Sequence, residues 1–507
     1  MVMQYKDDRP ENTCNRVEDV LNRKYGFSFK STQSNSGEIS PSFGLMNKEM
    51  VMFTNGKGVS TEYALASAYG EMCERLFNLC PARMENISVE DMEIKSDFFE
   101  QYGRDKVREE LKRFIEVEND NDDSSELIEA MMQFVDMYSW PKKNELINCI
   151  TYTSRDGEKY IIPYMISDIL LGTNGMAAGN SYEEAYVQAF CELIERKAVK
   201  DFCEGKVIPK RVPKEDLADS TLWRNTLSVI DSKEDELEIE AYTFEEYYNF
   251  PVAFVLLTNR KEGYVKYKFG AHFDISCAVE RCITEMVQGA ELVDYSKWQK
   301  IEWIAKKERA DILLIFKDGS GLISGEAYRN VLQSKEFLKS KWDENCSKDA
   351  YDRIHTIVNN IYVHKSVSNP LYVLQLYVPK WSVITWLNSD DWRSATDETE
   401  VARYLKNAMD LSNRNNCEMF VKKAKMVYKD EVTLADISRS VCPVEKQYLQ
   451  KLTLGEYALN IERFYTKGDG YVPLNYCEKC VRHNRENCIV NKRREFCRGI
   501  YNEETIA

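Results

Sequence analysis

The sequence predicts a mixed fold, α/β or α+β, with a smaller, mainly helical C-terminal extension. Three observations carry this. Strand-like runs alternate with helical patterns up to about residue 385, and beyond Ser389 the chain turns helical and strongly charged, with few strand-like runs up to Tyr465. Of its 507 residues 43% are hydrophobic and 30% charged, with 22 Gly and 12 Pro, which excludes disordered, fibrous and membrane-embedded classes.

Helical periodicity predicts a first helix over Asn12–Arg23, ending at Lys24-Tyr-Gly26. A Ser-, Asn- and Gly-rich stretch (31–42) precedes a short strand, Val51–Thr54. The turn Asn55-Gly-Lys-Gly58 then leads into a long helix from Thr61 to about Leu79. Glu118–Glu126 reads as a charged surface loop. Strands follow at Cys149–Thr153 and Tyr160–Tyr164, and Asn174-Gly-Met-Ala-Ala-Gly179 opens a second long helix, Ser181–Phe202. Strands at Leu237–Tyr242, Val252–Leu257 and Tyr264–Phe269 lead to a third helix, from Ile275 to about Asp294. A boundary near Trp386–Thr399 divides the chain into residues 1–388 and 389–507.

Lys and Arg number 68 against 83 Asp and Glu, a formal charge of -15, which argues against general nucleic-acid binding. No apolar run approaches the roughly 20 residues that span a bilayer, and the start has no basic segment followed by an apolar one. A soluble, cytoplasmic protein without membrane attachment is expected. The 15 scattered Cys fit reduced thiols rather than a disulfide framework.

The second helix carries the most information. Ser181 and Glu184 form a capping-box pattern. Glu184, Gln188, Glu192 and Glu195, at offsets 0, 4, 8 and 11, fall within an arc of about 80°. Such a stripe suits a solvated face, or a metal or metal–nucleotide site, since clustered carboxylates repel unless a cation lies among them. The first helix repeats the signature: Glu71-Met-Cys-Glu74-Arg75 and Glu192-Leu-Ile-Glu195-Arg196 share the form Glu-x-x-Glu-Arg. The third brings Arg281, Glu285 and Gln288 to one face. Common nucleotide loops are missing from the sequence, so a nucleotide would need a carboxylate-rich site. Cys73, Cys191 and Cys282 point to other helical faces and read as core. His272, just before the third helix, reads as structural or substrate-lining.

Thr54-Asn-Gly-Lys-Gly58 with Gly70-Glu-x-x-Glu-Arg75, Asn174–Asn180 with Glu184-Ala185 and Glu192-x-x-Glu-Arg196, and Gly270-Ala-His272 with Glu280-Arg281 and Thr284-Glu285-x-x-Gln288-Gly289 together resemble the YcaO family, most closely its enterobacterial branch. The resemblance implies an ATP-binding α/β fold with Mg2+ held by Glu71, Glu192 and Glu285. It places Lys6, Thr13, Glu74, Asn180, Glu184, Gln188, Glu195, Arg196 and Arg281 around the nucleotide. It departs at Ala177, where the enterobacterial relative has Ser. The implied activity is phosphorylation of a peptide backbone amide oxygen, leading to an azoline or a thioamide. The alternative is an accessory role in methylthiolation of a small-subunit ribosomal protein. Azoline-forming relatives commonly end in a Pro-rich tail, whereas Tyr501–Ala507 has no proline. Partners implied are a peptide or protein substrate and a protein for leader recognition or sulfur delivery; a homodimer stays open.

Cys477, Cys480, Cys488 and Cys497 form a C-x2-C-x7-C-x8-C pattern, readable as a Zn2+ or iron–sulfur site or as unligated thiols. Arg482, Arg485, Lys492, Arg493, Arg494 and Arg498 make the same tail basic, either a solvated surface or a dock for an acidic leader or partner.

Overall fold

A computed structural model describes residues 6–25, 27–47, 52–78, 99–119, 125–138, 146–233, 237–244, 247–292, 298–317, 321–335, 342 and 344–383. The C-terminal extension, with its cysteines and basic tail, lies outside these residues.

The first layer is a helix, α1 (Pro10–Tyr25), and a three-stranded antiparallel sheet of β1 (Phe29–Gln33), β2 (Ser42–Asn47) and β3 (Met52–Lys57), followed by α2 (Thr61–Phe77). Next come β4 (Glu100–Gly103), α3 (Arg104–Glu118), α4 (Ser125–Tyr138), β5 (Leu146–Ser154), β6 (Lys159–Pro163), α5 (Tyr164–Leu170), β7 (Met176–Gly179) and the 22-residue α6 (Tyr182–Cys203). A second half contains β8 (Lys210–Arg211), α7 (Thr221–Asp231), β9 (Leu237–Thr243), β10 (Val252–Asn259), β11 (Tyr264–Ala271) and α8 (Ile275–Met286). Then β12 (Gln299–Lys300), the short helices α9 (Ile301–Lys306), α10 (Ile312–Lys317) and α11 (Gly325–Leu332), α12 (Ser347–Ile357), β13 (Tyr362–Val367) and β14 (Tyr372–Tyr377) complete the described chain.

Two larger sheets organise the core. One runs β12-β11-β10-β9-β8; the other runs β4-β5-β13-β14-β7, with β6 on β5. Every strand pairing among the described residues is antiparallel, so the mixed class resolves towards α+β. Helix α6 packs between the two sheets. Its Phe190, Leu193 and Phe202 share one apolar cluster with Leu374 and Leu376 of β14 and Phe254 and Leu256 of β10. The alternate residues of β10, Ala253, Val255 and Leu257, join Trp223 of α7 and Ala278 and Cys282 of α8 on the opposite face. Both faces of β10 are thus covered, which explains its unbroken apolar sequence. A third cluster joins α1, α2, α3 and α4 to β5 and β6.

Several boundaries differ from the sequence reading. Asn55, Gly56 and Lys57, read as a turn, continue β3 and pair with Gly44, Phe43 and Ser42. Met176–Gly179, read as part of a Gly-containing turn, is β7, paired with β14. Tyr164 begins a helix rather than ending a strand. The third helix stops at Met286, with Val287 as its C-cap and Gly289 at φ +64°, so Gln288 lies beyond the helix whose face it was assigned to. Strands β1, β2, β4, β8, β12, β13 and β14 have no counterpart among the strands expected from the sequence.

The glycines that mimicked turns serve close packing. A Cβ at Gly56 would collide with the Ala64 carbonyl oxygen and the Ala68 nitrogen in α2, and one at Gly179 with Ala185 N in α6. At Gly270 of β11 it would lie 2.7 Å from Ala278 O in α8. Each strand therefore sits backbone against backbone on the helix that follows it. Gly56→Ala is expected to cost at least about 2 kcal/mol, because the obstructing atoms are backbone and cannot rotate aside. A lowered thermal or denaturant midpoint of the full chain checks this, and an unchanged midpoint contradicts it.

Candidate active site

The three helices that follow these joints are α2, α6 and α8, the same three that carry the polar stripes. All three project onto one cleft of about 1530 Å3. Every residue assigned to magnesium or nucleotide from the sequence lines that cleft, as do Gln288 and His272.

At one end the N-terminal segment is tied to the start of α6. Ser181 caps this helix, its hydroxyl accepting from Glu184 N at 3.0 Å. The buried Glu184 carboxylate is taken up by Lys6 Nζ at 3.1 Å, Asp7 N at 2.9 Å and Asn180 Nδ2 at 3.1 Å. Asn180 Oδ1 accepts from Thr13 Oγ1 at 2.8 Å and from Arg16 Nη2 at 2.5 Å. A buried carboxylate with three donors is satisfied as an anion, and the same donors fix Lys6 and Thr13 at the cleft wall.

Deeper in, the carboxylates crowd. Glu71 takes Asn55 N at 3.2 Å and lies 3.6 Å from Arg75 Nη2; Arg75 Nη1 is 3.7 Å from Glu74. Glu192 accepts from Arg196 Nη2 at 3.0 Å, while Arg196 stacks over the Phe316 ring. Glu285 pairs with Lys57. Arg281 donates from Nη1 to Ala271 O at 2.6 Å. Burial pushes the Glu74 carboxyl up to about 8; Arg75 opposes this, and the Glu192 and Glu71 charges add to it. Burial raises Glu195 as well, against the pull of Arg281 and Arg196. Burial and the Arg281 charge lower Lys57 to about 8. His272 is held neutral, well below its ordinary value, by burial and the nearby Arg281 and Lys6, and its Nδ1 accepts from Asp274 N at 3.1 Å.

Five glutamates from three helices thus share a partly dry space, two of them pushed towards the protonated form. Among the described residues no three His, Cys, Asp or Glu side chains are gathered tightly enough to hold a metal as they stand. The donor set nevertheless fits Mg2+ in kind: it is all oxygen, and it holds carboxylates that a further cation would relieve.

The family description "YcaO cyclodehydratase, ATP- and Mg2+-binding" matches residues 55–380. The chain belongs to the YcaO family. It is 26% identical over 389 residues to the Escherichia coli K12 ribosomal protein S12 methylthiotransferase accessory factor YcaO, covering 70% of this chain and 62% of that protein. It is likewise 26% identical over 361 residues to an uncharacterized Haemophilus influenzae protein, covering 66% and 57%. The chain therefore spans about six-tenths of the length of these curated relatives. Among solved structures, YcaO from Methanopyrus kandleri bound with AMPPCP and Mg2+ aligns at a TM-score of 0.45 with 15% identity, covering 74% of this chain and 92% of that one. A heterocyclase in complex with substrate and cofactor aligns at 0.46 with 15% identity, covering 74% and 52%. No helix among the described residues of this family member is long and apolar enough to cross a membrane.

Sequence reasoning missed Lys57 as a cleft residue, and Arg16 and Asp7 as the residues that hold Asn180 and Glu184. Lys57 stood inside a quoted motif, Asn-Gly-Lys-Gly, but was read as a turn; its partners lie 228 and 231 positions away. Cys73, Cys191 and Cys282 are buried, as expected of core residues, although Cys191 also borders the cleft.

Because Glu74 binds its proton more tightly folded than unfolded, its contribution to stability falls as pH rises from its ordinary value of 4.5 towards 8. Glu74→Gln removes the buried charge. Its unfolding midpoint is expected to exceed that of the parent protein at pH values above 8 and to match it near pH 4; equal midpoints at both ends would contradict the crowding.

Proposed function

We propose that this protein is an ATP- and Mg2+-dependent YcaO-type enzyme that phosphorylates a backbone amide oxygen of a peptide or protein substrate. The observation that carries the reading is the convergence of carboxylates and arginines from three sequence-distant helices on one cleft. In this reading Glu71, Glu192 and Glu285 hold Mg2+, which when bound neutralises charge on the phosphate oxygens. Lys6, Thr13, Glu74, Asn180, Glu184, Gln188, Glu195, Arg196 and Arg281 line the nucleotide.

The chain's own part is positioning and electrostatics. Arg281, with one nitrogen already on Ala271 O, presents a fork that loses little freedom on meeting a phosphate. Arg196 is likewise held, by Glu192 and by the Phe316 carbonyl at 3.3 Å. The amide oxygen attacks the γ-phosphorus and ADP departs. A Cys, Ser or Thr side chain, or sulfide from a donor, then adds at the amide carbon, and phosphate leaves with the original oxygen. The products are an azoline or a thioamide. Residues 1–388 form the catalytic unit and 389–507 a helical extension, whose four cysteines stay readable as a Zn2+ or iron–sulfur site. A partner for leader recognition or sulfur delivery, and a homodimer, fit the same reading.

A second reading rests on the likeness to the Escherichia coli accessory factor: ATP turnover in support of a methylthiotransferase acting on a small-subunit ribosomal protein. Mass spectrometry of candidate peptides incubated with the full-length protein, ATP and Mg2+ separates the two. Loss of water or oxygen-to-sulfur exchange is expected from direct modification, whereas phosphate release with no altered peptide favours the accessory role. Arg281→Ala is expected to slow phosphate release about 100-fold or more, and an unchanged rate would remove Arg281 from the machinery.

A further inference from the structure

Lys57 is a cleft cation that the sequence left unassigned, and its surroundings are specific. Its side chain is about one-third exposed, as is that of its ion-pair partner Glu285. Its Nζ lies 3.3 Å from Gln288 Oε1, and Gln288 Nε2 donates to Asn55 O at 3.1 Å. Asn55 N in turn donates to Glu71. The end of β3 therefore grips two of the three carboxylates assigned to Mg2+, one through a backbone amide and one through an ammonium. The strand cannot carry Lys57 away, because Gly56 is wedged against α2. Only the side chain can leave, and its partial exposure leaves it room to do so.

Resting on the ATP and Mg2+ reading above, we propose that Lys57 is a tethered competitor of the divalent cation for Glu285. An ammonium and a divalent cation cannot share one carboxylate without mutual repulsion, so the metal loads fully only when the ammonium has another anion to go to. The phosphate oxygens of an incoming nucleotide supply that anion within the same cleft. Metal and nucleotide binding are thereby coupled through one lysine, and a divalent cation arriving alone is disfavoured.

The test uses the full-length protein and Mn2+ as the probe, with protein-bound Mn2+ read by equilibrium dialysis and electron paramagnetic resonance against the same Mn2+ and nucleotide mixture without protein. Without nucleotide, Lys57→Met is expected to bind Mn2+ on the order of tenfold more tightly than the parent protein. Lys57→Arg, which keeps the charge, is expected to stay at the parent affinity. With a non-hydrolysable ATP analogue present, the parent protein gains Mn2+ affinity and the advantage of Lys57→Met disappears. Circular dichroism confirms that both variants fold; if Lys57→Met does not, Lys57→Gln takes its place. If the parent binds Mn2+ with the analogue but neither charge-removing variant tightens nucleotide-free binding, the competitor role is overturned while the nucleotide reading stands. If no protein binds Mn2+ even with the analogue, both fall.

Discussion

Desolvation of carboxylates crowded into one partly buried cleft, with their mutual repulsion added to it, is the constraint on which the rest of the cleft depends. Glu71, Glu74, Glu192, Glu195 and Glu285 line a single space, and the Glu192 and Glu71 charges add to the burial that raises Glu74. The fold answers with cations drawn from several elements: Arg75 from α2, Arg196 from α6, Lys57 from β3 and Arg281 from α8. The compensation is incomplete, since burial still drives Glu74 and Glu195 towards the protonated form. A space that crowds carboxylates among anchored arginines suits a ligand that brings both a cation and phosphate.

The N-terminal segment closes the same electrostatic system from the other side. Glu184, in the first turn of α6, would be a costly buried anion without Lys6, Asp7 N and Asn180. The Lys6 and Asp7 contacts span more than 170 positions of sequence, so the segment before α1 belongs to the cleft wall rather than to a peripheral tail. Thr13 and Arg16, one turn apart on α1, converge on the single oxygen of Asn180 and set that helix in place.

What was legible in the sequence was local. Ser181 announced the start of α6, and the i, i+3 and i, i+4 spacing of its glutamates announced a polar face, because both depend only on helical periodicity. The three segments that build the cleft were likewise visible as repeated Glu and Arg patterns. Illegible was everything that depends on tertiary approach. Asn55–Lys57 and Met176–Gly179 carry turn-like glycines, yet they are strands, since their pairing partners and the helices packed on them lie elsewhere in the chain. Lys57 could not be matched to Glu285, nor Arg16 to Asn180, for the same reason. The end of α8 was overrun because its polar spacing continues to Gln288, while Gly289 turns the backbone away.

The three glycine–alanine joints make the spacing of the cleft a property of main chain rather than of side chains. Helices α2, α6 and α8 each start at a depth set by direct backbone contact with the preceding strand. The side chains they project can therefore be exchanged without moving the helices, so chemistry can diversify on a fixed frame. The converse also holds: a single methyl group added at one joint would displace a whole row of carboxylates without changing the number or kind of charges. Such a variant alters the spacing of the charges without altering their number, which no neutralising substitution of the glutamates themselves can do.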